Sequence, residues 1–167
     1  MRLFIAFKFD EATKKRLLDI QQKLKNSTTG NFTRPENLHL TVLFLGEVTD
    51  YSPARESMAR HFTSPVTLSF AKIGSFKNNI FWVGVEQNPD LEKLHQGICA
   101  DLEQAGYKVN CNNRFCPHVT LGREVALSGD SLSFEAFSMK ARRLSLMKSE
   151  RINGILRYTE VFGISIA

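Results

Sequence analysis

Asn37-Leu38-His39-Leu40-Thr41-Val42-Leu43-Phe44-Leu45-Gly46 is the stretch on which the reading of this chain turns, and Phe115-Cys116-Pro117-His118-Val119-Thr120-Leu121-Gly122-Arg123 repeats its logic half a chain later. In an extended strand, residues two apart face the same side. His39 and Thr41 therefore share one face, with Leu40 and Val42 on the other. His118 and Thr120 stand likewise against Val119 and Leu121. Each strand presents an imidazole and a hydroxyl in front and buries apolar side chains behind.

Similar elements precede the two stretches. Before the first, Arg2 to Phe9 reads as a strand with Leu3, Ile5, Phe7 and Phe9 on one face. Asp10 is a plausible N-cap for an amphipathic helix from Glu11 to Lys25, with Leu17, Ile20 and Leu24 on its buried stripe. Asn26 to Asn31 is a turn-rich break. The first His-x-Thr strand is expected over Leu38 to Leu45, ended by Gly46. A helix over Pro53 to His61 follows. Then come strands over Val66 to Ile73 and Ile80 to Glu86, joined by a turn at Lys77-Asn78-Asn79. A long helix from Pro89 to about Ala105, with Leu91, Leu94, Ile98 and Leu102 inward and Gly106 as its stop, leads to the second His-x-Thr strand at Val119 to Arg123. Phe137 to Lys148 and Leu156 to Ile166 read as the last two strands. This mixed order predicts an α+β fold with largely antiparallel sheets, and the two halves suggest a distant duplication.

The chain has 167 residues, 43% hydrophobic, which suits one compact domain over residues 1–167, with two small lobes sharing a core as the alternative at this length. Its formal charge of +5 favours anionic partners, and Arg142, Arg143, Lys148, Arg151 and Arg157 crowd the C-terminal quarter against Glu150 and Glu160. The cysteines, Cys99, Cys111 and Cys116, fit no zinc spacing and are expected to be reduced thiols in a cytoplasmic chain. No apolar run approaches membrane-span length, and no secretory leader is expected at the N-terminus.

The paired faces suit a phosphate. A threonine hydroxyl donates to a non-bridging oxygen. An imidazole, with a reference pKa of about 6.5, gives or takes a proton near neutrality. Two such pairs facing each other supply a general acid, a general base and two neutral donors without a metal. One His-x-Thr in a strand is weak evidence, since most such histidines are structural. Two in matched settings are far harder to obtain by chance. No phosphate-binding or dinucleotide-binding glycine loop is present, and neither a metal nor a cofactor is expected.

On these residues the chain resembles the two-histidine phosphoesterase superfamily, and within it the RNA 2′,3′-cyclic phosphodiesterase family, historically called 2′-5′ RNA ligases. The resemblance rests on Arg2-Leu3-Phe4-Ile5-Ala6, both histidine blocks, and the tail Gly154-x-x-Arg157-Tyr158. It implies a bilobal fold in which two pseudo-symmetric antiparallel sheets line a central cleft, with helices outside. It further implies hydrolysis of an RNA or nucleotide 2′,3′-cyclic phosphate to a 2′-phosphomonoester. His39 would act as proton donor to the leaving 3′ oxygen and His118 as proton acceptor from water. Thr41 and Thr120 would bind phosphate oxygens. The partners would be RNA ends or cyclic nucleotides, and the protein a monomer. Two alternatives stay open: ATP-independent 2′-5′ joining of RNA ends, and a non-catalytic RNA-end binding module.

Arg123 lies off the His118/Thr120 face by parity, so a bend or the strand end must bring it to the cleft. It is read as a phosphate or base contact, or as a rim charge. Phe4 is read as a base-stacking platform or as core. His61 is expected at the surface and His95 on a solvated helix face. Cys116 is expected to be a packed thiol. The short polar stretch between Glu124 and Phe134 suggests that one edge of the cleft is open.

Overall fold

β1 (Arg2–Phe7) is buried on both sides, and that decides the architecture. Leu3, Ile5 and Phe7 enter the main hydrophobic core, whereas Phe4 and Ala6 join Met147 in a second, smaller cluster against Tyr158. A strand apolar on both faces must lie inside a sheet that is covered on both sides.

The computed structural model describes residues 1–76, 79–112, 114–126 and 132–167. The expected turn at Lys77-Asn78-Asn79 and the stretch from Glu124 to Phe134 fall partly outside them. After β1 come α1 (Glu11–Ser27), β2 (Asn31–Phe32), a 3-10 turn (Pro35–Asn37), β3 (Leu40–Glu47), α2 (Ser52–His61), β4 (Val66–Phe76) and β5 (Ile80–Val85). Then follow α3 (Pro89–Gln104), β6 (His118–Arg123), β7 (Phe137–Ala141), β8 (Arg143–Ile152) and β9 (Ile155–Ser165). Asp10 caps α1 by accepting from the Thr13 amide at 2.8 Å, and Asn88 caps α3 by accepting from the Leu91 amide at 2.8 Å.

The strands form two sheets, β3-β1-β8-β9 and β2-β6-β5-β4-β7, with every pairing antiparallel. Each sheet carries one His-x-Thr stretch, and β3 meets β6 from the opposite sheet. The helices cross over. α1 packs on β6 of the second sheet, and α3 packs on β3 of the first as well as on β4. α3 thus touches both sheets, and each sheet takes strands from both halves of the chain, which ties the two lobes through one core.

Three expectations are corrected. Phe137 to Lys148 is not one strand: it breaks at Arg142, so that β7 joins β4 while β8 joins β1 in the other sheet. Asn31 is not only turn, because Asn31 and Phe32 pair with Arg123 and Gly122 as an edge strand. The thiols are not all reduced. Cys99 on α3 is bonded to Cys111, with a Cα–Cα separation of 5.8 Å that falls in the usual disulfide range. No helix among the described residues is long and apolar enough to cross a membrane.

Candidate active site

Both His-x-Thr stretches point into one groove. His39, Thr41, His118 and Thr120 all line a cavity of about 450 Å³ between the sheets. Behind them, Leu40, Val42, Val119 and Leu121 are in the core. The period of two thus delivers the same division in both lobes.

The rings are held in matching ways. His39 donates Nδ1–H to the Asn37 carbonyl at 2.7 Å, and His118 donates Nδ1–H to the Cys116 carbonyl at 2.7 Å. A carbonyl can only accept, so each bond fixes the tautomer and leaves Nε2 free for chemistry. The Nε2 of His39 is met by the Thr41 hydroxyl at 2.9 Å. Asn37 is itself pinned: its side-chain amide donates to the Leu156 carbonyl at 3.1 Å, joining the 3-10 turn to β9.

Aromatic walls back both imidazoles. Phe4 and Tyr158 lie 5.0 and 5.1 Å from the His39 ring, and Phe76 stands edge-on to His118 at 4.9 Å. Phe4 is only 2% exposed. Its ring packs against His39 and Tyr158, which favours the core reading of Phe4 over the stacking platform.

Burial is the main cause that lowers both histidine pKa values below the ordinary imidazole value. The backbone hydrogen bonds to Asn37 and Cys116 oppose this, each raising its histidine. The positive charge of Arg123 lowers both, and that of His118 lowers His39 further. Each ring is thus within electrostatic reach of the same guanidinium, and His39 feels His118.

Arg123 reaches the groove because β6 carries a bulge. Trp82 pairs with Thr120 and its neighbour Phe81 with Gly122, so Leu121 is an extra residue on β6. An extra residue shifts the alternation by one, turning Gly122 to the core and Arg123 to the cleft. The Leu121 carbonyl stays satisfied, accepting from the Thr33 amide at 2.9 Å and from the buried Gln21 side chain at 2.9 Å. β3 repeats the device. Ala6 pairs with Thr41 and Ile5 with Leu43, leaving Val42 as the extra residue. Leu43 therefore goes to the core and Phe44 to the cleft, where it is 64% exposed. Phe44 and Arg123 are each the fifth residue after their histidine.

Beyond His39 the groove widens into a second cavity of about 690 Å³, lined among others by Arg2, Phe44, Arg123, Glu150, Arg151 and Tyr158. Arg151 and Tyr158 come from the β8–β9 hairpin, whose turn residues Asn153 and Gly154 have φ of 53° and 78°. Positive φ at both turn positions is what a two-residue hairpin requires, and Asn-Gly supplies it. The cavity-lining roles of Phe44, Arg2 and Arg151 escaped sequence reasoning, as did the anchoring roles of Asn37 and Gln21. For Asn37 and Phe44 the available signal was their place inside the first histidine block.

The remaining candidates lie elsewhere. His61 is half-buried, not free at the surface: its Nε2 is 2.9 Å from Asp101 Oδ2, which also accepts from Ser57 and Arg60. His95 is buried, not solvated, and stacks on Phe115 at 4.2 Å. Cys116 is exposed, not packed, and it meets His118 through its backbone carbonyl.

A pair of antiparallel sheets, with a His-x-Thr face on each side of one groove, defines a class. The sequence matches the 2′-5′ RNA ligase superfamily over residues 10–153, and the chain belongs to that superfamily. Within it, the chain is 32% identical over 162 residues to an RNA 2′,3′-cyclic phosphodiesterase of Archaeoglobus fulgidus, covering 89% of this chain and 91% of that one. It is 35% identical over 132 residues to one of Thermotoga maritima, covering 74% and 70%. Among solved structures, Escherichia coli LigT complexed with 3′-AMP superposes with a TM-score of 0.80 at 23% identity, covering 99% of this chain and 97% of that one. That likeness establishes the shared fold.

Proposed function

We propose that this protein hydrolyses the 2′,3′-cyclic phosphate of an RNA end or nucleotide to a 2′-phosphomonoester, with His39 and His118 as the proton-transferring pair and no metal. The observation that carries this reading is the convergence of His39, Thr41, His118 and Thr120 on one cavity, each imidazole tethered through Nδ1 to a main-chain carbonyl. The names of the archaeal and bacterial relatives support the same reaction.

In this mechanism water attacks phosphorus and loses its proton to His118 Nε2. The bond from phosphorus to the 3′ oxygen breaks, and that oxygen takes a proton from His39 Nε2. Neutral His118 suits its part, since its lowered pKa keeps it unprotonated. His39 must be charged at that moment. The anionic phosphate stabilises the charged imidazole against its desolvation, and so raises the His39 pKa on binding. Once Nε2 carries a proton it no longer accepts from Thr41, and the Thr41 hydroxyl is released to donate to a phosphate oxygen. Thr120 donates from the other side. Arg123 offsets charge at the phosphoryl group, where a guanidinium in a partly buried groove is worth more than in water.

The test is incubation with a nucleoside 2′,3′-cyclic phosphate in excess chelator, with phosphorus NMR identifying the product. The 2′-monophosphate is expected. The 3′-isomer, or turnover only after a divalent ion is added, would refute the scheme. Joining of RNA ends through a 2′-5′ bond is the same chemistry with a 5′-hydroxyl in place of water. The superfamily name favours keeping it as a second reading. Joining and hydrolysis compared on one oligonucleotide pair rank the two.

A further inference from the structure

We infer that the Cys99–Cys111 disulfide is a redox control on turnover: intact, it steadies the carbonyl that orients His118, and opened by a dithiol, it lets that carbonyl drift. This rests on the proposed function and adds its regulation.

Each ring of the pair hangs from the main-chain carbonyl two residues before it, Asn37 for His39 and Cys116 for His118. The two carbonyls are secured differently. Asn37 sits in a 3-10 turn, and its own side chain pins it to Leu156 at 3.1 Å. Cys116 lies near the end of the connection from α3 to β6, which contains no helix or strand among its described residues. No backbone–backbone hydrogen bond holds Lys108 to Asn112. Val109 and Cys111 lean on the core, and Cys111 is bonded to Cys99, which is buried on α3. That bond sits five positions before Cys116 (116 minus 111). Between it and His118, His95 stacks on Phe115 at 4.2 Å, the Gln87 side chain donates to the Phe115 carbonyl, and the Val85 amide donates to the Pro117 carbonyl at 3.0 Å. The disulfide thus serves the second lobe as the Asn37–Leu156 bond serves the first. If the Cys116 carbonyl moves away, His118 loses the partner that keeps its proton on Nδ1. An Nε2 that carries the proton cannot take one from water.

The bond is open to reduction from one side. Cys99 is 1% exposed, whereas Cys111 is half-buried and lines a cavity of about 240 Å³ with Arg114 and His95. A reductant thiolate entering there attacks Cys111 Sγ, and the bond to Cys99 Sγ breaks. Cys99 leaves as a thiolate and takes up a proton. The second thiol of the reductant then displaces Cys111 as a thiol, and the reductant departs as its own disulfide with two electrons fewer. Arg114 favours the approach of the thiolate.

The experiment measures kcat and KM on a nucleoside 2′,3′-cyclic phosphate for the oxidised protein, for the protein reduced with dithiothreitol, and after reoxidation. Reduction should lower kcat by about fivefold or more with KM little changed, and reoxidation should restore it. The Gln87 and Val85 bonds survive reduction, so turnover should slow and not stop. Cys111→Ser should match the reduced protein with or without dithiothreitol. NMR of the ring nitrogens should show His118 losing its fixed tautomer on reduction while His39 keeps its own. Equal kcat in the two states overturns the inference. So does a response that persists in Cys111→Ser or vanishes in Cys116→Ser, since the exposed Cys116 thiol would then carry it. Disturbance of both rings together would also overturn it, because the bond would then hold the fold at large. If no redox state turns the substrate over, the proposed function itself fails, and that outcome is distinct from the others.

Discussion

Asn37 holds His39 twice over: its carbonyl accepts the imidazole Nδ1–H at 2.7 Å, while its side-chain amide reaches 3.1 Å to the Leu156 carbonyl on the facing hairpin. Asn37→Ala keeps the carbonyl but frees the turn that carries it. The expected result is a fall in kcat of about tenfold, with KM little changed, since misplacement of His39, the proposed proton donor, acts mainly on the chemical step. A KM defect with normal kcat would show that Asn37 does not position His39.

The pH dependence follows from the lowered pKa values of both rings. The proposed reaction needs one imidazole charged and one neutral. Near pH 7 both are neutral in the free protein, so kcat/KM should rise as pH falls, then decline once the second ring is protonated. The optimum of the bell should lie below about 6.5. Arg123→Gln removes a charge that depresses both pKa values, so its residual activity should peak at higher pH. An optimum that stays put would remove Arg123 from the electrostatics of the pair.

The same shifts set a sign for stability. A histidine whose pKa is lower in the folded state binds fewer protons than in the unfolded chain, so stability falls as pH drops through the window below about 6.5. Urea midpoints should decrease from pH 7.5 to pH 5, and less steeply in a His39→Gln, His118→Gln double variant. Equal slopes would place both rings in water.

The division of labour is testable with a substrate whose 3′ oxygen is replaced by sulfur. A thiolate leaves without a proton. His39→Ala should regain most of its lost rate on that substrate, and His118→Ala should not. Rescue of His118→Ala instead would reverse the assignment of acid and base.

The β6 bulge depends on Gln21, which is buried and donates to the Thr33 carbonyl at 2.8 Å and the Leu121 carbonyl at 2.9 Å. Gln21→Leu should cost about 1–3 kcal/mol in denaturant unfolding, because buried acceptors lose donors. A neutral effect would mean that the Thr33 amide suffices.

How far the residues could be read in advance is uneven, for physical reasons. A period of two is local, so the faces of His39, Thr41, His118 and Thr120 followed from the two stretches alone. The antiparallel α+β class followed from the order of elements. Bulges are set by the partner strand: Val42 and Leu121 look like ordinary apolar strand residues, so the exposure of Phe44 could not be seen, and for Arg123 parity showed only that some bend was needed, not where. The break at Arg142 lies in a run without glycine or proline, and it is imposed by the two sheets that claim Ala141 and Leu144. The Cys99–Cys111 bond joins a helix to a loop whose path the sequence does not specify. Phe4 looked equally able to stack on a base or pack, and only the covering rings of His39 and Tyr158 decide between them.

In the proposed mechanism two imidazoles grip one phosphorus centre. The most direct measurement is a titration with a 2′-nucleotide, following the ring nitrogens of His39 and His118 by NMR. Both signals should move together, reach saturation at one ligand per chain and report raised pKa values. Movement of one ring without the other, or saturation at two ligands, would contradict the claim.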